Sequence, residues 1–222
     1  SGDWPGIRFT SSTIDAVFDE NNNYLSGSIL KFSEISNAGK ITAGGEFGAL
    51  TIDGSRPFIS NNLITNSGLS GIYIMGLFYQ NDDTFNTVNG IEVYDKKLII
   101  QNNLIYNSTR EGIYFTIGNK RVHSFIIKNI ITGNDNGIIG ETAGQTPGAF
   151  FTITNNIISE NKKTGISLNV IKSPTSRLFI TRNVFSNNNK NNYNDLNAVD
   201  FDLIKYTCLL YTSPRPRDAH ES

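Results

Sequence analysis

Short apolar segments recur along this chain, each split by polar residues. The clearest example is PFISNNLITNSGLSGIYI, from Pro57 to Ile74. Ile59 and Ile64 flank the Asn61-Asn62 pair and lie five positions apart. Side chains on one continuous strand alternate faces, so an odd spacing puts these two isoleucines on opposite sides. For both to face a core, the chain must bend between them. Asn tolerates the left-handed backbone conformation better than most non-glycine residues, which makes Asn61-Asn62 the predicted bend. The GIYI segment from Gly71 then alternates as a strand with Ile72 and Ile74 inward and Tyr73 outward.

The same arrangement returns in LIIQNNLIYNSTREGIYF from Leu98, SFIIKNIITGNDNGII from Ser124, FTITNNIISENKKTGISL from Phe151 and LFITRNVFSNNN from Leu178. A degenerate copy, SILKFSEISNAG, starts at Ser28. Aligned, these give an asparagine column of Asn62, Asn103, Asn129, Asn156 and Asn183, with gaps of 41, 26, 27 and 27 residues. Ser33 takes the column position in the degenerate copy. Self-similarity at this period predicts a stacked solenoid. Each unit closes on Gly-Ile-x-apolar, at Gly71, Gly112, Gly137 and Gly165, with an early version, GIRF, at Gly6.

A leucine-rich repeat has an overlapping period and its own Asn ladder. Here the recurring apolar residue is mostly Ile, a strand former, and no segment sustains a helical period. The pattern therefore predicts an all-β, right-handed parallel β-helix of roughly six or seven coils. Each coil would hold about three short strands, stacked about 4.8 Å apart. The asparagine column would form a ladder, because an amide both donates and accepts hydrogen bonds. The column Leu63, Leu104, Ile130, Ile157, Val184 is also apolar. Of the two, the column containing Ile64 is expected to face the core.

The repeat I-x-x-N-x-I-x-x-N…G-I between Ile59 and Leu168 resembles the right-handed β-helix repeats of the pectin-lyase-like superfamily. The WPGIRF and ILKFSEISNAG segments resemble its bacterial secreted or surface members. The resemblance covers about residues 4–190 and implies a fold more strongly than an activity, since one fold hosts many functions. Gly-His-Gly and the other catalytic motifs of polygalacturonase-like relatives are absent, as are those of alginate-epimerase-like relatives. No catalytic residue is carried over.

Composition narrows the function. A net charge of -1 argues against a nucleic-acid footprint and against an electrostatic membrane anchor. No run of about 18 apolar residues predicts a transmembrane helix. The single cysteine, Cys208, excludes a disulfide framework and a Cys-based metal site. The chain does not begin with Met and reads as a piece of a longer protein, with one β-helix domain over 1–205. Its last segment, 206–222, breaks every compositional trend and reads as a non-native or disordered tail. An insertion at 76–97 accounts for the long gap. It and the shorter segments from Thr116, Gly140 and Asn169 concentrate length variation after the GI-x strand, at one corner, where solenoids often carry their working surface.

The outward column of the GI-x strands is Arg8, Thr51, Tyr73, Tyr114, Ile139 and Ser167. Tyr73 and Tyr114 are predicted vertical neighbours, depending on where the insertion's GIEV packs. They would make either a platform for sugar rings, with hydroxyls free to bond, or a cross-strand aromatic pair that stabilises the sheet. Asp82, Asp83 and Glu92 in the insertion suit calcium, with Arg110 or Lys96 as the base of a lyase. A solvated acidic loop is the simpler account of the same residues. Asp83 and Glu111 are a candidate carboxylate pair for glycoside hydrolysis. His123, beside Lys120 and Arg121, reads as a surface residue, and Asn107-Ser108-Thr109 matches a glycosylation acceptor. The expectation is a secreted or cell-surface segment engaging a polysaccharide or cell-surface glycan through Tyr73, Tyr114, Arg110, Glu111, Asp82, Asp83 and Glu92. The rival expectation is a structural stalk or adhesin spacer. No cofactor is expected beyond calcium, and no nucleic-acid or membrane-inserted partner.

Overall fold

A computed structural model describes residues 2–42, 45–75, 85–88, 91–94, 97–117, 123–142, 150–169, 177–188 and 199–200. The described residues contain strands and no helix, and three parallel sheets wrap one core. Each full coil runs through the sheets in the same order. Sheet I holds Ile29–Lys31, Phe58–Ser60, Lys97–Gln101, His123–Ile127, Phe150–Thr154 and Arg177–Thr181. Sheet II holds Glu34–Ser36, Leu63–Thr65, Leu104–Tyr106, Ile130–Thr132, Ile157–Ser159 and Val184–Ser186. Sheet III holds Ile7–Phe9, Leu50–Asp53, Ile72–Met75, Glu111–Ile117, Asn136–Thr142, Ile166–Asn169 and Val199–Asp200. Every neighbouring pair within these sheets is parallel, which makes the protein a parallel β-helix of the expected coil number.

The odd spacing of Ile59 and Ile64 resolves as a corner between sheets I and II. In each coil one residue there is left-handed: Phe32, Asn61, Asn102, Lys128, Asn155 and Arg182, all with φ of 54–57°. The residue that follows it carries the ladder. Asn62 donates its backbone N–H and its Nδ2 to Oδ1 of Asn103, at 2.9 and 3.0 Å. Asn103, Asn129 and Asn156 repeat the same pair of bonds to the next coil. The remaining Nδ2 proton goes to a sheet I carbonyl, as from Asn129 to Ile100. Ser33 ends the column by donating its N–H to Asn62. A left-handed L-residue costs roughly 1–2 kcal/mol. The ladder holds that conformation even where Lys128 or Arg182 replaces the tolerant Asn.

Ile59 and Ile64 are both fully buried, from opposite sides of the corner. The Ile64 column, Ile35, Ile64, Ile105, Ile131 and Ile158, lies in the core. The neighbouring apolar column points outward, with Ile130, Ile157 and Val184 about half exposed. Ile72 and Ile74 are inward as expected. Phe115 from sheet III stacks on Phe151 from sheet I, with centroids 4.4 Å apart. Glycine at 140, the inward neighbour of Phe115, leaves room for that ring, which a Cβ there would strike.

Three features differ from the sequence reading. A second corner, between sheets II and III, has its own left-handed column: Asn37, Asn66, Asn107, Gly133, Glu160 and Asn187. It carries a second ladder five residues after the first. Ser108 and Asn134 donate to the next Oδ1 with their N–H, and Asn134 and Asn161 with both N–H and Nδ2, ending on Asn188. Next, the segments read as loops from Thr116 and Gly140 begin as strand, since sheet III runs on to Ile117 and Thr142. Finally, Val17–Phe18 and Tyr24–Ser26 form a hairpin whose Phe18 and Tyr24 pack on Phe58 of sheet I. The buried Arg56–Asp15 ion pair, 3.0 Å long, anchors this arm to the solenoid. The segment 206–222 and the loops after each sheet III strand from 76 onward lie largely or wholly outside the described residues.

Candidate functional site

The outer face of sheet III is built by strand alternation alone. Hydrogen-bonded register places Arg8, Thr51, Tyr73, Tyr114, Ile139 and Ser167 in one vertical file. Tyr73 and Tyr114 are direct neighbours, because the insertion adds no strand between them. Its GIEV segment instead joins a hairpin, Phe85–Val88 with Ile91–Tyr94. The two phenol rings stack with centroids 5.2 Å apart and planes 10° apart. That is an offset-parallel pair, in which each ring gives one face to the other.

The expectation of free hydroxyls is corrected at Tyr114. Its O–H donates to Glu141 Oε2 at 2.8 Å. Burial pushes the phenol pKa well above the usual tyrosine range, helped by that bond and by the negative charge of Glu141. The proton therefore stays on oxygen at any physiological pH, and Tyr114 acts as a donor rather than a base. Glu141 itself is exposed. Sequence reasoning missed it because GETAGQTPG was read as loop. The strand alternation that continues through Ile139 was the available signal.

Glu111 also differs from expectation. It begins the sheet III strand and is only 7% exposed. Ser70 donates to its Oε2 at 2.7 Å, and Arg110 Nε lies 3.7 Å from the same oxygen. One coil further, Asp135 pairs with Lys163 at 2.8 Å, and this bond raises the lysine pKa. Arg110 and Glu111 thus stand at the start of the strand that carries Tyr114, with the Glu111 carboxylate turned in against Ser70 and Arg110. Glu141 pairs across the sheet with Thr116, five residues beyond Glu111. Their backbones are therefore separated by about 16 Å along the sheet. Leaning side chains shorten this gap, but Tyr114 stands between the carboxylates. A pair of catalytic carboxylates normally sits about 5–9.5 Å apart around one glycosidic bond.

Toward the first coil, Arg8 is paired with Asp53 and lies over the Phe47 ring, 5.0 Å from its centroid. Thr51, in file between Arg8 and Tyr73, points outward but is 1% exposed, covered between larger neighbours. It therefore offers no surface for a ligand.

Asp82, Asp83 and Lys96 lie outside the described residues. Glu92 sits on the hairpin, but its side chain, like that of His123, is also outside them. The calcium cluster and the Asp83–Glu111 pair consequently have no described geometry. Among the described residues, no three His, Cys, Asp or Glu side chains gather as metal ligands.

No curated protein and no solved structure matches the chain. The family described as right handed beta helix region matches residues 76–202, more than half of the 222 residues. That match covers the regular coils from the insertion onward, so this chain belongs to the right-handed β-helix family.

Proposed function

We propose that this chain is an extracellular or cell-surface β-helix segment that engages a polysaccharide along the outer face of sheet III. The observation carrying the reading is the Tyr73–Tyr114 stack in the outward file. It places two aromatic rings on the outer face of the solenoid, beside the exposed Glu141 that Tyr114 holds, with Arg110 immediately before the Tyr114 strand. Aromatic faces take the apolar face of a sugar ring, while carboxylate and guanidinium groups bond its hydroxyls. The insertion that carries Asp82, Asp83 and Glu92 follows the Ile72–Met75 strand of this sheet in sequence. Calcium belongs to the reading only through those three side chains. No bond cleavage is proposed.

A structural spacer is the second reading, and one observation favours it. The stack also satisfies the requirements of a stabilising cross-strand pair, with one hydroxyl already engaged. Titrating the full chain against a panel of soluble neutral and acidic polysaccharides, with calcium or with a chelator, separates the two. Saturable binding to one class supports the first reading. Calcium dependence would assign a role to the insertion's acids. Failure of a folded chain to bind any member favours the spacer.

A further inference from the structure

We propose that Asn107 is an acceptor for N-linked glycan. The chain has 29 asparagines but one Asn-x-Ser/Thr triplet, Asn107-Ser108-Thr109. The first ladder cannot supply one, because its asparagines are followed two positions later by inward apolar residues: Ile64, Ile105, Ile131, Ile158 and Phe185. A glycan on a ladder residue would also have to enter the core. The one triplet instead falls on the corner between sheets II and III.

Asn107 is exposed and left-handed, with φ of 58°. This conformation throws its side chain out of the coil. Its Nδ2 donates to Asn66 Oδ1 at 2.6 Å. A glycosylated amide keeps one N–H, so the nitrogen can still donate one hydrogen bond. The next coil has Gly133 at the equivalent corner, where even a Cβ would meet only the Asn107 nitrogen, 3.9 Å away. A bulky substituent therefore has open space on that side. The middle residue, Ser108, is buried with its N–H held by Asn134, and Thr109 donates its hydroxyl to the Gly68 carbonyl. Transfer to the chain before these contacts form leaves a product compatible with all of them.

The reaction forms a bond from Nδ2 to the anomeric carbon of an oligosaccharide carried on a polyprenyl diphosphate. The diphosphate leaves with the bonding pair, and the amide nitrogen gives up one proton. This inference rests on the extracellular reading of the chain, but it is independent of what sheet III binds.

The test expresses the full chain behind a supplied secretory leader in eukaryotic cells, together with a known glycoprotein. Intact masses of secreted and luminal protein are compared before and after a glycan-releasing amidase. One discrete mass increase is expected, removed by the amidase, absent in Asn107→Gln and Thr109→Val, and retained in Thr109→Ser. An unshifted chain beside a glycosylated control would overturn the proposal, as would a shift that survives Asn107→Gln. Neither result would alter the polysaccharide panel, so the two readings fail separately.

Discussion

Replacing Asn129 probes how the solenoid is held together. Its Oδ1 accepts from the N–H and Nδ2 of Asn103 at 2.9 and 3.0 Å, and its Nδ2 donates to Ile100 O and Asn156 Oδ1 at 2.9 and 3.1 Å. The residue is 1% exposed, so water cannot replace these partners. Asn129→Ala orphans the buried Asn103 N–H, at about 1–3 kcal/mol, and loses three further bonds at about 0.5–1.5 kcal/mol each. The expected loss is about 2.5–7.5 kcal/mol, a large part of the 5–15 kcal/mol typical of a folded domain. Asn129→Asp has nearly the same shape but turns an acceptor and a charge toward two acceptors. It should be at least as damaging at neutral pH. Burial raises the introduced carboxyl's pKa, so its protonated form is favoured by folding. Stability should therefore recover as pH falls and worsen as pH rises through that pKa. Urea unfolding followed by far-UV circular dichroism measures both variants. An Asn129→Asp protein as stable as the parent, or an Asn129→Ala loss under 1 kcal/mol, would refute the ladder as the source of this stability.

Other consequences follow from the same packing. Gly140→Ala should cost about 1–3 kcal/mol through collision with the Phe115 ring, and adding Phe115→Leu should recover part of it; an additive double variant in denaturant unfolding would contradict the argument. Ser108 is buried in the second ladder, and no partner for its Oγ is found among the described residues. Ser108→Asn should extend that ladder toward Ser67 and raise stability by about 1 kcal/mol, the worth of one hydrogen bond, whereas a lower denaturation midpoint would show that the site is too tight. Tyr114 has a raised pKa in the fold. Its contribution to stability should be complete below the unfolded tyrosine pKa of about 10 and diminish as pH rises above it. Phenolate absorbance should show a late-titrating component that Tyr114→Phe removes, and identical alkaline titrations of the two proteins would refute this environment.

The first ladder was readable because the same residue type recurs every 26 or 27 residues from Asn103 to Asn183, with Asn62 in the same sequence context one insertion earlier. The second was hidden because Ser67 and Ser108 stand where Asn134, Asn161 and Asn188 continue it. The burial of Ile64 over Leu63 depended on which residue turns left-handed, and both neighbours are apolar. The arm over Phe58 was missed because its strands have two or three residues, too few for a period to show. At the site, alternation placed Tyr73 and Tyr114 correctly. Alternation says nothing about ring orientation or the Glu141 bond, and a carboxylate's burial, as at Glu111, depends on neighbouring coils. The acids of the insertion follow no repeat, so neither their partners nor their spacing could be inferred from the regular coils.

The most direct measurement is binding to a polysaccharide retained by the parent chain, compared with Tyr73→Ala/Tyr114→Ala and with Glu141→Gln. Circular dichroism would confirm that each variant keeps its strands. The account predicts that the double tyrosine variant loses binding at least tenfold and that Glu141→Gln, which leaves the stack in place, weakens it less. A folded double variant that binds as tightly as the parent would contradict the claim that the outer face of sheet III holds the glycan.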